Sequence, residues 1–271
     1  ISDEHDGIVE LPEDTPIGAP AIEVMGLADP IVEIAITPNR GDCLGVRGVA
    51  RDLAAAGIGT MKPLNTQPIP GKFESPIDVI LDFPNDKKDA CPYFVGRFVR
   101  GVRNGPSPAW VQDKLVAVGL RPISALVDIT NLVTIELGRP LHVFDAAKVT
   151  GNVRPRMAHD GEELFALDGK TYTMDAEMCV IADDVKAEAL GGIMGGEESG
   201  CTGTTADVFI ECAYFDPIRT AITGRKLNLQ SDARFRFERG VDPAFMEPAM
   251  EIATRLVMDL CGGEPSHVGV A

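Results

Sequence analysis

Two polar side chains in the middle of the sequence are of types that assist hydrolysis. Asn131 lies in a segment predicted as helical, and His142 follows eleven residues later, beyond Gly138 and Pro140. An imidazole and an amide can orient a water molecule or stabilise an oxyanion, so one interpretation places both in a shared cleft. The other is a capping asparagine and a hydrogen-bonded loop histidine, and spacing alone favours this second interpretation.

A glycine-rich segment and a lone carboxylate lie further along the chain. Residues 190–197 contain four glycines within six positions, and their pattern fits neither a Walker loop nor the G-x-G-x-x-G fingerprint. Such glycines indicate either tight turns or a backbone brought close to a ligand. Glu211 interrupts the apolar segment 209–215, and burying it unpaired would cost several kcal/mol. It therefore either has a partner or ligand, or faces solvent at a strand edge.

Charge is distributed unevenly. The net charge is −16, and residues 1–33 contain nine acidic residues but no lysine or arginine. Residues 219–239 form the one basic stretch, in which arginines alternate with Phe235 and Phe237. As an exposed strand, residues 232–243 offer groups suited to phosphates and bases, whereas a core-facing phenylalanine pair with solvated arginines is the plainer alternative. Because backbone binding needs clustered cations, any nucleic-acid contact must be local.

Composition narrows the class of protein. Hydrophobic residues make up 45% and charged residues 24%, which is typical of a globular chain. No apolar run approaches the ~20 residues of a membrane span, and we expect no membrane association. The six cysteines are scattered and the four histidines do not cluster with them, so we expect reduced thiols, no metal site and a cytoplasmic location. The start without methionine suggests a piece of a longer protein.

The elements that must position these residues follow from periodicity and capping signals. They predict an α+β fold, a mixed or antiparallel sheet with flanking helices, preceded by a small connector over residues 1–72 and a main domain over 73–271. Asp42 is predicted as the N-cap of a helix that ends at Gly57. The expected strands are 32–36, 77–81, 93–99, 178–183 and 207–213, with a hairpin over 164–172; further helices are expected from Ser107 to Gly119, over 124–137 and over 243–260.

In combination, these segments resemble the bacterial phenylalanyl-tRNA synthetase beta subunit, namely its editing domain and the piece joining it to the tRNA-binding OB-fold module. The resemblance covers nearly the whole chain, with Leu132 and Val143 standing where the family usually has tyrosine and alanine. The matching stretches are 37–48, 127–131, 140–145, 191–197, 210–215 and 237–243.

The resemblance implies hydrolysis of tyrosine wrongly esterified to tRNA(Phe), because a pocket shaped for phenylalanine discriminates poorly against an added hydroxyl. It implies that Glu211 accepts the phenol and that Ala233, beside Ser231, is a small pocket wall. Three further groups are implied: polar residues near the ester and the terminal adenosine (His142, Asn131, Thr130), backbone walls (Gly191, Gly192, Gly195) and arginines that could contact tRNA (Arg234, Arg236, Arg239).

The expected mechanism is attack by water organised by His142, Asn131 and backbone amides near Gly191 and Gly192, without a protein nucleophile. We expect no cofactor in this chain and no aminoacylation, since ATP and Mg would belong to the aminoacylation site of the complete enzyme. The implied partners are the tRNA(Phe) 3′ end, the alpha subunit and the remaining beta-subunit domains. Two alternatives are a non-catalytic tRNA-binding or scaffolding module and a free-standing editing factor.

Overall fold

The computed structural model describes residue 11, residues 13–25 and residues 30–271. Residues 1–10, 12 and 26–29 of the predicted connector lie outside these ranges. Within the described ranges, no helix is both long and apolar enough to cross a membrane.

Seven α-helices are found in the described ranges. The longer ones carry an apolar face, as in α7, where buried side chains recur every three to four residues from Met246 to Cys261. In chain order they are α1 (Ala21–Val24), α2 (Val46–Ala55), α3 (Ala109–Ala117), α4 (Ala125–Leu137), α5 (Pro217–Lys226), α6 (Asp232–Phe237) and α7 (Met246–Cys261).

The β-strands form antiparallel sheets, which confirms the predicted α+β class. In chain order they are β1 (Tyr93–Arg100), β2 (His142–Asp145), β3 (Arg154–Met157), β4 (Glu163–Phe165), β5 (Thr171–Thr173), β6 (Cys179–Ala182), β7 (Ala187–Leu190), β8 (Met194–Gly195), β9 (Asp207–Tyr214), β10 (Glu264–Pro265) and β11 (Gly269–Val270).

Two sheets dominate the fold. The first has the order β10-β1-β9-β2, with β11 also paired to β1, so β2 is an edge strand. The second has the order β3-β6-β7-β8, and β4-β5 is the predicted hairpin. The long pairing of β1 with β9 runs from Tyr93 opposite Tyr214 to Arg100 opposite Asp207. This register fixes which side chains of the first sheet share a face.

Each face of the first sheet is covered by a separate apolar core. Alternate residues of β9 such as Ile210 and Cys212 pack with α4 and α7, and we call this the helix-side core. The intervening residues Phe209 and Ala213 pack against side chains of β6 and β7, and we call this the inter-sheet core. Any polar residue of β9 that points to the inter-sheet core is therefore enclosed between the two sheets.

The connector residues pack closely on the main domain. An added Cβ at Gly45 would lie 2.3 Å from the backbone nitrogen of Gly138. Arg97, which is fully buried, donates to the Ile69 carbonyl at 2.6 Å, and its Nη1 lies 3.0 Å from Glu251 Oε2. The predicted boundary near Phe73 thus coincides with no gap in packing, and it stays a prediction.

Three local predictions are wrong. Residues 32–36 form no strand, and residues 77–81 contribute only an isolated bridge at Val79, because strand pairing depends on distant neighbours. Asp42 is not the N-cap of α2, a position that Gly45 occupies; its carboxylate instead pairs with Arg40 and Arg51. Residues 232–237, interpreted as part of an exposed strand, form the helix α6.

Candidate functional site

The centre of the candidate site is a pair of ionisable residues on adjacent strands. Glu211 on β9 stands directly opposite His142 on β2. Both point to the inter-sheet core, because Phe209 and Phe144, two residues away on each strand, belong to that core. Glu211 is 6% exposed, and the buried Nε2 of His142 has no hydrogen-bond partner among the described residues. Two polar groups are thus enclosed together without their ordinary partners.

The resemblance implies that Glu211 binds the phenol and that His142 lies near the ester, yet the two residues are direct neighbours across the sheet. Cross-strand partners on one face have Cβ atoms roughly 4.5–5.5 Å apart. Because His142 and Glu211 are such partners, their backbones are neighbours. Only the directions of their side chains can separate the groups.

Burial controls the charge of both groups. It raises the pKa of Glu211 to about 8, although the positive charge of Arg139 acts in the opposite direction. Burial lowers the pKa of His142 to about 4. Near neutral pH the pair is therefore mainly a carboxylic acid beside a neutral imidazole. A carboxylic acid both donates and accepts a hydrogen bond, as a hydroxyl group does.

The glycine-rich segment forms one wall of this site. At Gly195 an added Cβ would lie 2.4 Å from His142 Cε1, so only glycine lets β8 approach the imidazole this closely. Cβ atoms at Gly191 and Gly192 would each lie 2.9 Å from the ring of Phe215, and Gly192 has a φ of +70°. Phe215 in turn meets Phe237 edge-on, with ring centroids 5.1 Å apart. The glycines therefore serve both a turn and close packing around the pair.

One backbone amide expected to stabilise an oxyanion is already engaged. The Gly191 amide donates to the Cys179 carbonyl at 2.9 Å. This particular amide is therefore not free to bind an oxyanion in this conformation, and the role of amides near Gly191 and Gly192 stays a prediction. Gly192 keeps its place as a candidate.

Ser231 and Ala233 connect the glycine-rich segment to α6. Ser231 is the N-cap of α6: its Oγ accepts from the Arg234 amide at 3.0 Å and donates to the Ile193 carbonyl at 2.6 Å. Ala233 is half-buried and packs against the inter-sheet core. The structure thus brings Ala233 to the core that holds Glu211, although the two lie 22 residues apart in sequence.

Thr130 and Asn131 lie on a different layer. They belong to α4, whose Leu126 and Ile129 pack into the helix-side core. The Thr130 hydroxyl donates to the Val127 carbonyl at 2.7 Å. Asn131 lies in the middle of the helix, so the alternative that it caps a helix is wrong. To contact a ligand held by Glu211, these two side chains would have to reach around the edge strand β2.

The three candidate arginines have partners within the protein. Arg234 pairs with Glu238 at 3.0 Å, and Arg239 pairs with the same carboxylate and stacks 3.7 Å from the centroid of the Phe235 ring. Arg236 is buried and donates to the Leu44 carbonyl. Their role as tRNA contacts stays a prediction, and each would have to exchange an existing bond for a phosphate.

A buried arginine that the sequence analysis missed contacts the residues that follow Glu211 on β9. Arg139 is 1% exposed, and its Nε and Nη2 lie 3.2 Å from Cys212 Sγ. The sequence analysis treated residues 138–140 only as a helix stop. The signal that could have revealed Arg139 was a charged residue directly before a segment of otherwise apolar strand character.

Other clusters and grooves in the described residues are of a different kind. Asp42, Cys43 and Asp52 lie close enough together to hold a metal ion, but Arg40 and Arg51 already neutralise both carboxylates. A surface groove of about 500 Å³ lies along α2, with walls that are mainly aliphatic. It offers no acid–base pair, so the enclosed pair of Glu211 and His142 is the better candidate for chemistry.

Comparison with known proteins defines the class. Residues 90–262 match the B3/4 domain, which covers β1 to α7, including both members of the pair. The chain therefore belongs to the B3/4 domain family.

Along its whole length the chain is similar to curated phenylalanine–tRNA ligase beta subunits, which confirms the resemblance stated from sequence. It is 60% identical over 271 residues to that of Paramagnetospirillum magneticum and 60% identical over 268 residues to that of Cereibacter sphaeroides. The two matches cover 100% and 99% of this chain. They cover only about a third of the relatives' own length, 34% and 33%. An N-terminal fragment of the Pyrococcus horikoshii phenylalanyl-tRNA synthetase beta subunit matches 86% of this chain and 61% of its own, with 18% identity and a TM-score of 0.46.

Proposed function

We propose that this chain hydrolyses tyrosine esterified to the 3′ end of tRNA(Phe), as the editing part of a phenylalanine–tRNA ligase beta subunit. The observation that carries the proposal is the buried carboxyl of Glu211, which has no hydrogen bond among the described residues and faces an apolar core. A ligand that buries a hydroxyl there gains a hydrogen bond, whereas phenylalanine would leave the carboxyl unpaired. The site would thus prefer tyrosine.

The reaction needs an oriented water and a stabilised oxyanion. His142 offers an unpartnered Nε2 beside Gly195, and as a neutral imidazole it can hold the water. The tyrosyl ring would lie along the glycine-rich segment, with Phe215 and Ala233 as walls. Thr130 and Asn131 would bind the ester and the terminal adenosine from the far side of β2.

The partners proposed for this activity are the tRNA(Phe) 3′ end, the alpha subunit and the remaining beta-subunit domains. With a net charge of −16, the chain is poorly suited to hold the tRNA backbone itself. Other modules would bind the backbone while this chain receives the terminal nucleotide.

A non-catalytic tRNA-binding or scaffolding module is the second candidate. One observation favours it: Ser231, the Gly191 amide and the three candidate arginines all have partners within the protein. In that case Glu211 and His142 would serve only packing.

Hydrolysis of Tyr-tRNA(Phe) by the complete synthetase distinguishes these candidates. Glu211→Ala should lower the affinity for tyrosine by about 1–3 kcal/mol, because the phenol loses its partner. Ala233→Trp should block hydrolysis by filling the pocket. Glu197→Ala is the matched control, since Glu197 is exposed at the end of the same segment. Equal hydrolysis in folded Glu211→Ala, Ala233→Trp and control enzymes would reject the editing function.

A further inference from the structure

Arg139 is a buried cation held by neutral groups. Its Nη2 donates to the Ala213 carbonyl and lies 2.6 Å from Met246 Sδ, and its Nε and Nη2 contact Cys212 Sγ. Its Nη1 has no partner among the described residues. No carboxylate in the described ranges lies within ion-pair distance of the guanidinium. A buried charge without a counter-ion is costly, so its presence calls for an explanation.

The position of Arg139 relates it to Glu211. The groups that hold Arg139 belong to Cys212 and Ala213, the two residues that follow Glu211 on β9. On the other side, the guanidinium lies 5.5 Å from the centroid of the Phe237 ring. Phe237 packs on Phe215, the aromatic wall of the glycine-rich segment. Cys212 itself faces the helix-side core, so Arg139 lies at the edge of the sheet, between that core and the aromatic wall of the candidate site.

The other titratable groups around Glu211 are neutral near pH 7. They come from each element packed on it: His142 on β2, Cys212 on β9, Cys179 on β6, and Cys91 before β1. Burial raises the pKa of all three thiols and lowers that of His142. Among the described groups that act on Glu211, Arg139 supplies the charge.

We propose that Arg139 is a positioning residue that acts through Glu211, as a fixed positive charge that stabilises the ionised form of this buried carboxyl. The electrostatic link is argued from the contacts of the buried Arg139 with the two residues that follow Glu211. Its effect on ligand selection rests on the proposed function.

The link is tested by following the titration of Glu211 in the full chain by NMR, with ¹³C-labelled glutamate carboxyls and Glu211→Gln to assign the signal. We expect Arg139→Gln and Arg139→Met to move the midpoint of Glu211 upward by about one pH unit, because the opposite charge is lost. Arg139→Lys keeps the positive charge, so it should return the midpoint of Glu211 most of the way to the wild-type value. Arg156→Gln is the control, since Arg156 is partly buried but pairs with Glu162.

A midpoint that stays unchanged in a folded neutral variant overturns the proposal. If both neutral variants are too unstable to titrate, the double variant with Glu211→Gln decides. It should regain stability at high pH, because no carboxylate is left without a counter-charge; equal instability of the single and double variants also overturns the proposal.

Binding of free tyrosine across pH separates this inference from the proposed function. The midpoint of its pH profile should move with the NMR midpoint in Arg139→Gln and return in Arg139→Lys. An NMR shift without any tyrosine binding would reject the proposed function and leave the electrostatic link standing. Tyrosine binding with no NMR shift would overturn the electrostatic link and leave the proposed function standing.

Discussion

Glu211 and His142 are both buried in the form that carries no charge, and this has opposite consequences for stability. The pKa of Glu211 is raised to about 8, so its deprotonation favours the unfolded chain as the pH rises. The pKa of His142 is lowered to about 4, so its protonation favours the unfolded chain as the pH falls. Between the ordinary pKa values of the two groups, these dependences cancel. The pair is therefore most compatible with folding at mildly acidic pH.

Replacing each member should reveal its share of this pH dependence. Glu211→Gln should remove a loss of stability that grows above pH 4.5 up to about pH 8, by about 1.4 kcal/mol for each pH unit. His142→Asn should remove the loss that develops as the pH falls from 6.5 to about 4. Urea unfolding of both variants and the wild type between pH 4 and 9 measures these differences. Parallel curves for all three proteins would contradict the burial of the pair.

Gly195 lets β8 contact His142, and this role can be tested without removing an ionisable group. Gly195→Ala should destabilise the fold by about 1–3 kcal/mol and displace the imidazole, since the new Cβ would lie 2.4 Å from Cε1. Gly203→Ala is the matched control, because Gly203 is exposed and an added Cβ there meets nothing within 4 Å. Thermal unfolding and the His142 ring signals in NMR provide the measurements. Equal behaviour of the two variants would show that the contact is unimportant.

At the scale of elements, the sequence predicted helices and strands correctly where one short segment contained all the residues that determine the element. Helix α4 ends at Gly138, whose φ of +68° is the left-handed conformation expected of a C-terminal glycine. Helix α6 was interpreted as a strand because its arginines and phenylalanines alternate, although Ser231 supplied the capping signal of a helix. Residues 32–36 alternate like a strand, but the described chain gives them no neighbour to pair with.

The candidate site was predictable in part for the same reason. Glu211 was visible as a carboxylate inside an apolar strand. Its register opposite His142 was not, because the two residues are about seventy positions apart and no local pattern fixes such a pairing. Arg139 was missed because its importance comes from groups on β9 and α7.

One buried ion pair contributes to the attachment of the connector to the main domain. Glu251 Oε2 accepts from the Ile69 amide at 2.8 Å and from Arg97 Nη1 at 3.0 Å. Glu251→Ala should cost about 3–5 kcal/mol, because Arg97 would remain buried without its partner. It should also expose residues 67–72 to proteases. The control Glu264→Ala removes an exposed partner of Arg100 and should cost less than about 1 kcal/mol. Matching stabilities of the two variants would refute this role of the pair.

At the scale of the whole molecule, the chain combines a strongly acidic surface with a similarity to proteins about three times its length. Residues 90–262 contain the site, and the connector packs against them. Such an arrangement suits a module that receives a small end group of a larger ligand rather than the ligand as a whole.

Binding of tRNA to this chain alone should therefore be weak and only slightly dependent on salt. If contact is limited to the single-stranded 3′ end, about three phosphates are involved, and the logarithmic salt dependence should have a slope near roughly −2. Fluorescence anisotropy with labelled tRNA at several salt concentrations measures the slope. Tight binding with a slope several times steeper would mean that the chain itself binds the phosphate backbone of the tRNA.

The reactivity of the buried Cys179 thiol should report how often the inter-sheet core opens. Burial raises its pKa to about 12, and the residue is only 5% exposed, so the thiol is shielded both chemically and sterically. Any fluctuation that opens the inter-sheet core far enough to admit an aromatic ring should also admit a small alkylating reagent. Mass spectrometry of iodoacetamide-treated protein should then show that Cys179 is alkylated at a rate that increases with opening of the core. A bound tyrosine should lower that rate.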